Sequence, residues 1–248
     1  MSVRRFMINS QAIQDGYATF DGDIYRHMVR VLRMGPGDLV QLSDEAGTTY
    51  SGTINHVASE KVTVKIDSSR PVLQSDFSAP AITICQALPK GDKTDLILQK
   101  GTELGAHAFM LFGGRRSVAK IRDDQRDSKL ERWNRITAEA ARQCGRSDIP
   151  GVGWRPDAVE AADGSNQELR LILWEEERNR SLKDVISTIE KPLSVVVAIG
   201  PEGGFDPLEV HHFTQRGFQP VSLGSRILRT ETASIAILSV IQYIWGEM

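Results

Sequence analysis

Cysteine is nearly missing from this chain of 248 residues: only Cys85 and Cys144 occur. They are far apart and neither sits in a spaced set of metal ligands, so neither a disulfide framework nor a zinc site is indicated, and no metal is expected. Long apolar runs are also missing. No stretch approaches the length of a membrane span, and the N-terminal residues, with Arg4 and Arg5 leading into a mixed polar segment, lack the apolar centre of a signal peptide. A cytoplasmic protein without a membrane partner is expected. Strong net charge is lacking too, the formal balance being -2. That argues against a protein that coats nucleic acid indiscriminately, because nonspecific affinity needs many phosphate contacts, but it leaves room for a structured RNA site. Internal repeats and low-complexity segments are absent.

What is there is concentrated in the last quarter. An apolar run, Leu193 to Ile199, empties into Gly200-Pro201-Glu202-Gly203-Gly204-Phe205, and a second loop, Leu223-Gly224-Ser225-Arg226-Ile227-Leu228-Arg229-Thr230-Glu231-Thr232-Ala233, follows one helix later. Glycines directly after a buried strand let backbone approach a ligand closely, so two such loops in series suggest one shared pocket. A nucleotide-triphosphate loop needs a Lys-Ser/Thr pair after its glycines, and Phe205-Asp206 stand there instead. A dinucleotide fingerprint fails as well: Pro201 stiffens the loop, and the helix begins only at Asp206-Pro207. Taken alone, such a loop is more often a tight turn than a cofactor site.

At this length and 25% charged residues, two modest domains are expected, each with a core. Up to about Arg70, short alternating runs at Leu39 to Leu42, Thr49 to Ile54 and Lys61 to Ile66 favour a small β-barrel. Residues 71–80 are polar with two prolines, a linker by composition. Beyond it, strands at Ala81 to Ala87, Ala108 to Phe112, Leu169 to Trp174, Leu193 to Ile199 and near Val221 alternate with helices. The helices are expected at Thr94 to Leu104, Asp127 to Cys144, near Leu182 to Ile189, from Pro207, and at the end of the chain as far as Trp245. The alternation predicts a mostly parallel sheet flanked by helices. Asp206, Pro207 and Glu209 specify one helix start by N-cap, first-position proline and capping box. Positive charge clusters at Arg26, Arg30 and Arg33 and again at Arg115, Arg116, Lys120 and Arg122. Three-residue spacing would put Arg30 and Arg33 on one face of a helical turn, suited to phosphates.

The two glycine loops together resemble the signature of the bacterial 16S ribosomal RNA uracil-N3 methyltransferases, members of the SPOUT superfamily. The motifs His27-x-x-Arg30-Val31-Leu32-Arg33-Met34, Gln99-Lys100-x-x-Glu103-Leu104-Gly105 and Gln143-Cys144-Gly145-Arg146 match the same family's pattern in order. Ala106-His107 departs from it, where an apolar residue usually follows. The resemblance implies an N-terminal PUA-like RNA-binding barrel at 1–72 and a SPOUT α/β domain with a C-terminal trefoil knot at 80–248. It also implies S-adenosylmethionine held by three loops, with Leu173, Trp174, Ile199, Gly200, Pro201, Glu202, Gly203, Gly204, Leu223, Gly224, Ile227 and Leu228 as binding residues. Methyl transfer to N3 of uracil requires the imide proton to leave. Glu231 is the candidate acceptor and Arg229 the candidate stabiliser of charge on the carbonyl oxygens, although a glutamate there is also favoured by the helix dipole. Arg5, His27, Arg30, Arg33, Arg115, Lys120, Gln143 and Arg146 are the candidate RNA contacts. Cys144 invites comparison with nucleophilic cysteines, but N3 methylation needs no covalent adduct, and inert packing is expected. The implied partners are 16S ribosomal RNA or the small ribosomal subunit and a second copy of the chain, paired through the last helix by Ile235, Ile237, Leu238, Ile241 and Ile244 unless these are buried in the monomer. Two alternatives stay open: a SPOUT enzyme acting on a ribose hydroxyl or another base, and a noncatalytic RNA-binding factor.

Overall fold

The computed structural model describes residues 4–44, 48–71, 79–146 and 148–246. By contact the chain divides into two units, Met1–Asp76 with Ala141–Ile149, and Phe77–Ala140 with Pro150–Met248. The linker predicted at 71–80 falls mainly on 72–78, outside the described residues.

In the first unit, alternation of period two sends Ala18 and Phe20 of β3 (Tyr17–Phe20) and Val40 and Leu42 of β4 (Leu39–Ser43) inward. Where the sequence predicts a small barrel, these strands join β1 (Arg4–Met7), β2 (Ile13–Gln14), β5 (Thr48–Val57) and β6 (Val62–Pro71) in one six-stranded sheet. Its order is β1-β4-β5-β6-β3-β2, with β1 and β4 parallel and the other pairs antiparallel. Irregularities at Ser51/Gly52 and Ile54/His56 bend β5 along β6 and curl the sheet around Phe6, Phe20, Met28, Leu42, Ile54 and Val64. A Cβ on Gly52 would lie 2.6 Å from the Lys65 carbonyl oxygen, so the bend requires glycine.

One expectation fails in this unit. The short helix α1 (Gly22–Tyr25) widens into a π-helical turn over Arg26–Val31, which seats Met28 fully in the core. Arg33 lies beyond that turn with φ 54°, a left-handed conformation, so ordinary helical spacing does not relate it to Arg30.

The second unit is a six-stranded parallel sheet, ordered β12-β10-β11-β7-β8-β9. Its strands are β7 (Ala81–Ala87), β8 (Ala108–Phe112), β9 (Gly151–Arg155), β10 (Leu169–Leu173), β11 (Ser194–Ile199) and β12 (Gln219–Val221). Both faces are covered, which is why β11 reads as an unbroken apolar run. Val195, Val197 and Ile199 pack on one face with α2 (Lys93–Glu103), α3 (Arg126–Cys144), α5 (Leu182–Ile186) and α7 (Thr230–Trp245). Val196 and Ala198 pack on the other with α4 (Ala158–Asp163) and α6 (Pro207–Gln215). Ile237, Leu238 and Ile241 of α7 are fully buried within this unit, so of the residues expected to pair two copies only Ile235 and Ile244 remain accessible. Gly101 permits the close approach of α2: a Cβ there would stand 2.6 Å from the Phe109 ring and 3.4 Å from Leu238.

Candidate functional site

Three loops leave β10, β11 and β12 at their carboxyl ends, the edge at which a parallel sheet opens its ligand crevice. Together with the start of α7 they enclose a cavity of about 410 Å³. All the residues predicted to hold the methyl donor line it except Gly203, and Arg229 and Lys93 line it as well. Gly203 faces the other way, packed against Arg116, whose Nη1 donates to its carbonyl oxygen at 3.1 Å. Leu173, Ile199 and Val221 are buried and form apolar wall. Ile227 does not: it is 82% exposed at the mouth.

Polar groups inside the cavity suit a polar ligand. Trp174 Nε1 is buried and lacks a hydrogen-bond partner among the described residues. The Glu175 carboxylate fills the volume above Gly204, where a Cβ would stand 1.8 Å from Oε1; Gly204 also has φ +68°, so glycine is required twice over. Beside it, Gly200 makes the tight turn that returns the chain to Phe205, and Phe205 anchors the loop in the opposite core beside Phe112 and Phe213.

The loop after β11 is held to its neighbours partly by side chains that the motifs do not contain. Gln86, fully buried in β7, donates through Nε2 to Thr230 Oγ1 at 2.8 Å and accepts from Ser234 Oγ at 2.7 Å. Thr230 Oγ1 donates in turn to the Gly200 carbonyl at 2.6 Å, so one network pins the start of α7 to the glycine turn. Glu202 takes the backbone N–H of Lys90 at 3.0 Å and Lys93 Nζ at 2.7 Å. Burial opposes its charge, but these hydrogen bonds outweigh burial and hold its carboxyl below the usual range. On the far side, Glu209 closes the capping box of α6 and also accepts the Arg115 N–H at 2.8 Å, fixing the segment after β8.

Arg229 occupies the N-cap position of α7 and is exposed, with Glu231 in the first turn. Glu231 turns its carboxylate towards Lys93, with Oε2 3.7 Å from Nζ, buried and without a hydrogen bond among the described residues. The expected RNA contacts are divided between the two units. His27, Arg30 and Arg33 are exposed on the first unit, with the His27 and Phe6 ring centroids 5.8 Å apart, edge to face; the side chain of Arg5 lies outside the described residues. Gln143 is exposed, whereas Arg146 spends its guanidinium on Asp148 at 2.7 and 3.0 Å. Arg115 and Lys120 are exposed on the second unit. Burial pushes the Cys85 thiol far up, and Cys144 is exposed with Sγ 3.6 Å from the Ala141 carbonyl, one turn back on α3. Among the described residues no cluster could hold a metal, and no helix is long and apolar enough to cross a membrane.

Sequence reasoning missed Gln86, Lys93, Glu175, Thr230 and Ser234. The signal for Gln86 was available: it is the one amide in an otherwise apolar strand end, Ile84 to Ala87.

Comparison with known proteins fits this geometry. The RNA methyltransferase domain matches residues 77–242, and the RNA methyltransferase PUA domain matches residues 20–67. Ribosomal RNA small subunit methyltransferase E of Bacillus subtilis is 34% identical over 228 residues, covering 90% of this chain and 88% of its own. The protein of that name from Synechocystis is 32% identical over 241 residues, covering 96% and 76%. Among solved structures, ribosomal RNA small subunit methyltransferase E from Neisseria gonorrhoeae bound to S-adenosyl methionine is 30% identical, with a TM-score of 0.79 over 99% of each chain. A Legionella pneumophila methyltransferase in complex with the bound cofactor SAM is 29% identical, with a TM-score of 0.79 over 100% of each. A parallel sheet with its cavity at the β10, β11 and β12 loops, and matches over nearly the full length, place this chain in the RNA methyltransferase family.

Proposed function

We propose that the protein transfers a methyl group from S-adenosylmethionine to N3 of a uridine in 16S ribosomal RNA, in the assembled small subunit. The observation that carries this reading is the cavity itself: the two glycine loops, far apart in sequence from the loop after β10, converge with it on one space that Arg229 also lines. Bound there, S-adenosylmethionine supplies an electrophilic methyl on a sulfonium. Leu173, Ile199 and Val221 offer apolar wall to an adenine, and Gly200, Gly204 and Gly224, bare of side chains, let the loop backbone come close to its polar edges. Glu175 supplies an acceptor in the cavity wall, beside the Trp174 side chain, whose buried Nε1–H has no hydrogen-bond partner among the described residues.

In this reading the uracil enters on the Arg229 side. The imide proton leaves N3 towards Glu231, and the Arg229 guanidinium opposes the charge that moves onto the carbonyl oxygens. His27, Arg30, Arg33, Arg115, Lys120 and Gln143 would meet the RNA backbone away from the reacting base, and Arg146 would have to leave Asp148 to join them. We read the chain as a PUA-like domain at 1–72 followed by a SPOUT domain at 80–248, working in the cytoplasm with its substrate. A trefoil knot is supported by the close pairing of both ends of segment 174–182 with the chain at 221–222, through Trp174 N–H to the Val221 carbonyl, Ser222 N–H to the Arg180 carbonyl and Leu182 N–H to the Ser222 carbonyl. A homodimer is supported by the accessible apolar side of α7, where Tyr243 and Ile244 are 75% and 42% exposed.

The test is transfer of labelled methyl from S-adenosylmethionine to small ribosomal subunits lacking this modification, with the nucleosides resolved by mass and retention. A 3-methyluridine product is expected. A different methylated nucleoside would overturn the specificity, and no transfer by protein that binds the donor would favour a noncatalytic RNA-binding role.

A further inference from the structure

Lys93 belongs to neither glycine loop. It is the first residue of α2, yet its side chain reaches the wall of the cavity. There two carboxylates from two different segments converge on it: Glu202 Oε1 of the loop after β11 at 2.7 Å, and Glu231 Oε2 of α7 at 3.7 Å. Its side chain is 28% exposed, so the ammonium is restrained without being sealed off. The hydrogen bond to Glu202 holds Lys93 above the ordinary lysine value; burial and the neighbouring Arg229 cation work the other way, and the charge of Glu231 adds to the rise. A lysine in that state donates hydrogen bonds and does not accept protons. Two carboxylates behind one ammonium are more than a surface ion pair needs, and they leave it aimed.

We propose that Lys93 is a second catalytic cation, aimed by Glu202 and Glu231 at a carbonyl oxygen of the target uracil, where it shares with Arg229 the stabilisation of the ionised imide. The N3–H bond breaks, the proton passes to Glu231, and the electron pair spreads over the two carbonyl oxygens against the two cations. N3 then forms its bond to the methyl carbon as the carbon–sulfur bond breaks with its pair going to sulfur, so charge and atoms balance. This inference rests on the methyl-transfer reading above. Glu202 acquires a different task from the one the motif suggests: its carboxylate holds the lysine, and only its backbone is left for the donor.

Lys93→Met and Lys93→Arg are compared with wild type in single-turnover methylation of unmethylated small subunits, from about pH 6 to pH 9, with donor affinity measured separately by calorimetry. Near neutral pH, Lys93→Met is expected to lose about 10²-fold in rate, the scale of removing one donor to a developing oxyanion. Its rate should climb with pH more steeply than wild type, because hydroxide supplies the ionisation that the cation no longer favours. Donor affinity should stay within about threefold, since the lost contact is made in the transition state and not in the ground state. Lys93→Arg should restore most of the rate. A loss of equal size at every pH, a loss that follows donor affinity, or no loss at all would reduce Lys93 to a latch between two loops and overturn the proposal. If wild type forms no 3-methyluridine, the methyl-transfer reading fails first and this inference with it.

Discussion

The two glycine loops look alike in sequence and differ in the structure. The loop after β11 is fastened at every side: Gly200 by Thr230 and Gln86, Glu202 by Lys90 and Lys93, Gly203 by Arg116, and Phe205 by the core beneath it. The loop after β12 is open, with Gly224, Ser225, Arg226 and Ile227 all exposed. Glycine content alone therefore does not distinguish a loop that is a rigid wall from one that faces solvent. The difference lies in side chains contributed by other elements, and in the proposed function the first loop would hold the donor while the second meets the RNA.

The comparison can be broken most severely at the end of the open loop. Arg229→Ala should lower the rate of methyl transfer by about 10²- to 10³-fold while leaving donor binding within a few-fold, in kinetics run beside calorimetry. Next, Gln86→Leu removes the amide that fastens the closed loop and leaves two buried hydroxyls short of a partner. A cost of about 2–3 kcal/mol in a urea melt is expected, together with weaker donor binding. Alanine at the two glycines sharpens the contrast further. Both Gly204 and Gly224 have positive φ, +68° and +121°, so both variants are strained, but only at 204 does the new Cβ displace Glu175 from the cavity. Gly204→Ala should thus weaken donor binding more than Gly224→Ala, by about tenfold, and the excess should disappear in a Glu175→Ala background.

Acidity separates the loops more gently. Glu202 is held below its ordinary 4.5, so its contribution is complete above that value and is lost as pH falls through the lowered one. Lys93 is held above 10.5, so its contribution is complete below that value and is lost as pH rises through the raised one. The Lys93–Glu202 tie is therefore intact between 4.5 and 10.5, and loop protection measured by hydrogen exchange should be flat across that window and drop outside it. The smallest effect is expected at Ile227→Ser, where an 82% exposed side chain should change stability by less than about 0.5 kcal/mol.

The fold was legible wherever burial on both faces wrote an unbroken apolar run. Ala81–Ala87 and Ala108–Phe112 fall where the sequence puts them, and α6 begins at Pro207 as its capping residues require. By contrast, β9 and α4 were hidden. Gly151 and Gly153 erase the alternation of the strand, and the helix spans only six residues, half of them alanine. Periodicity also could not tell which side of α7 faces the core, because nearly every residue from Ile235 to Ile241 is apolar. In the site, the motifs supplied the lining almost whole. The fastening could not be read from them, because Gln86, Lys93 and Glu175 come from outside the two glycine loops, and of the three only Gln86 stands out in its own stretch of sequence.

Gln86 bears on the order in which the molecule can become functional. Its single amide meets the Gly200 carbonyl 114 positions later in the chain, the Thr230 hydroxyl 144 later and the Ser234 hydroxyl 148 later. A nascent chain that has emerged only as far as Leu228 already carries every glycine of the site, but it has no helix start to close the network. The glycine turn cannot be pinned until the segment that bears Thr230 and Ser234 has been synthesised and has docked.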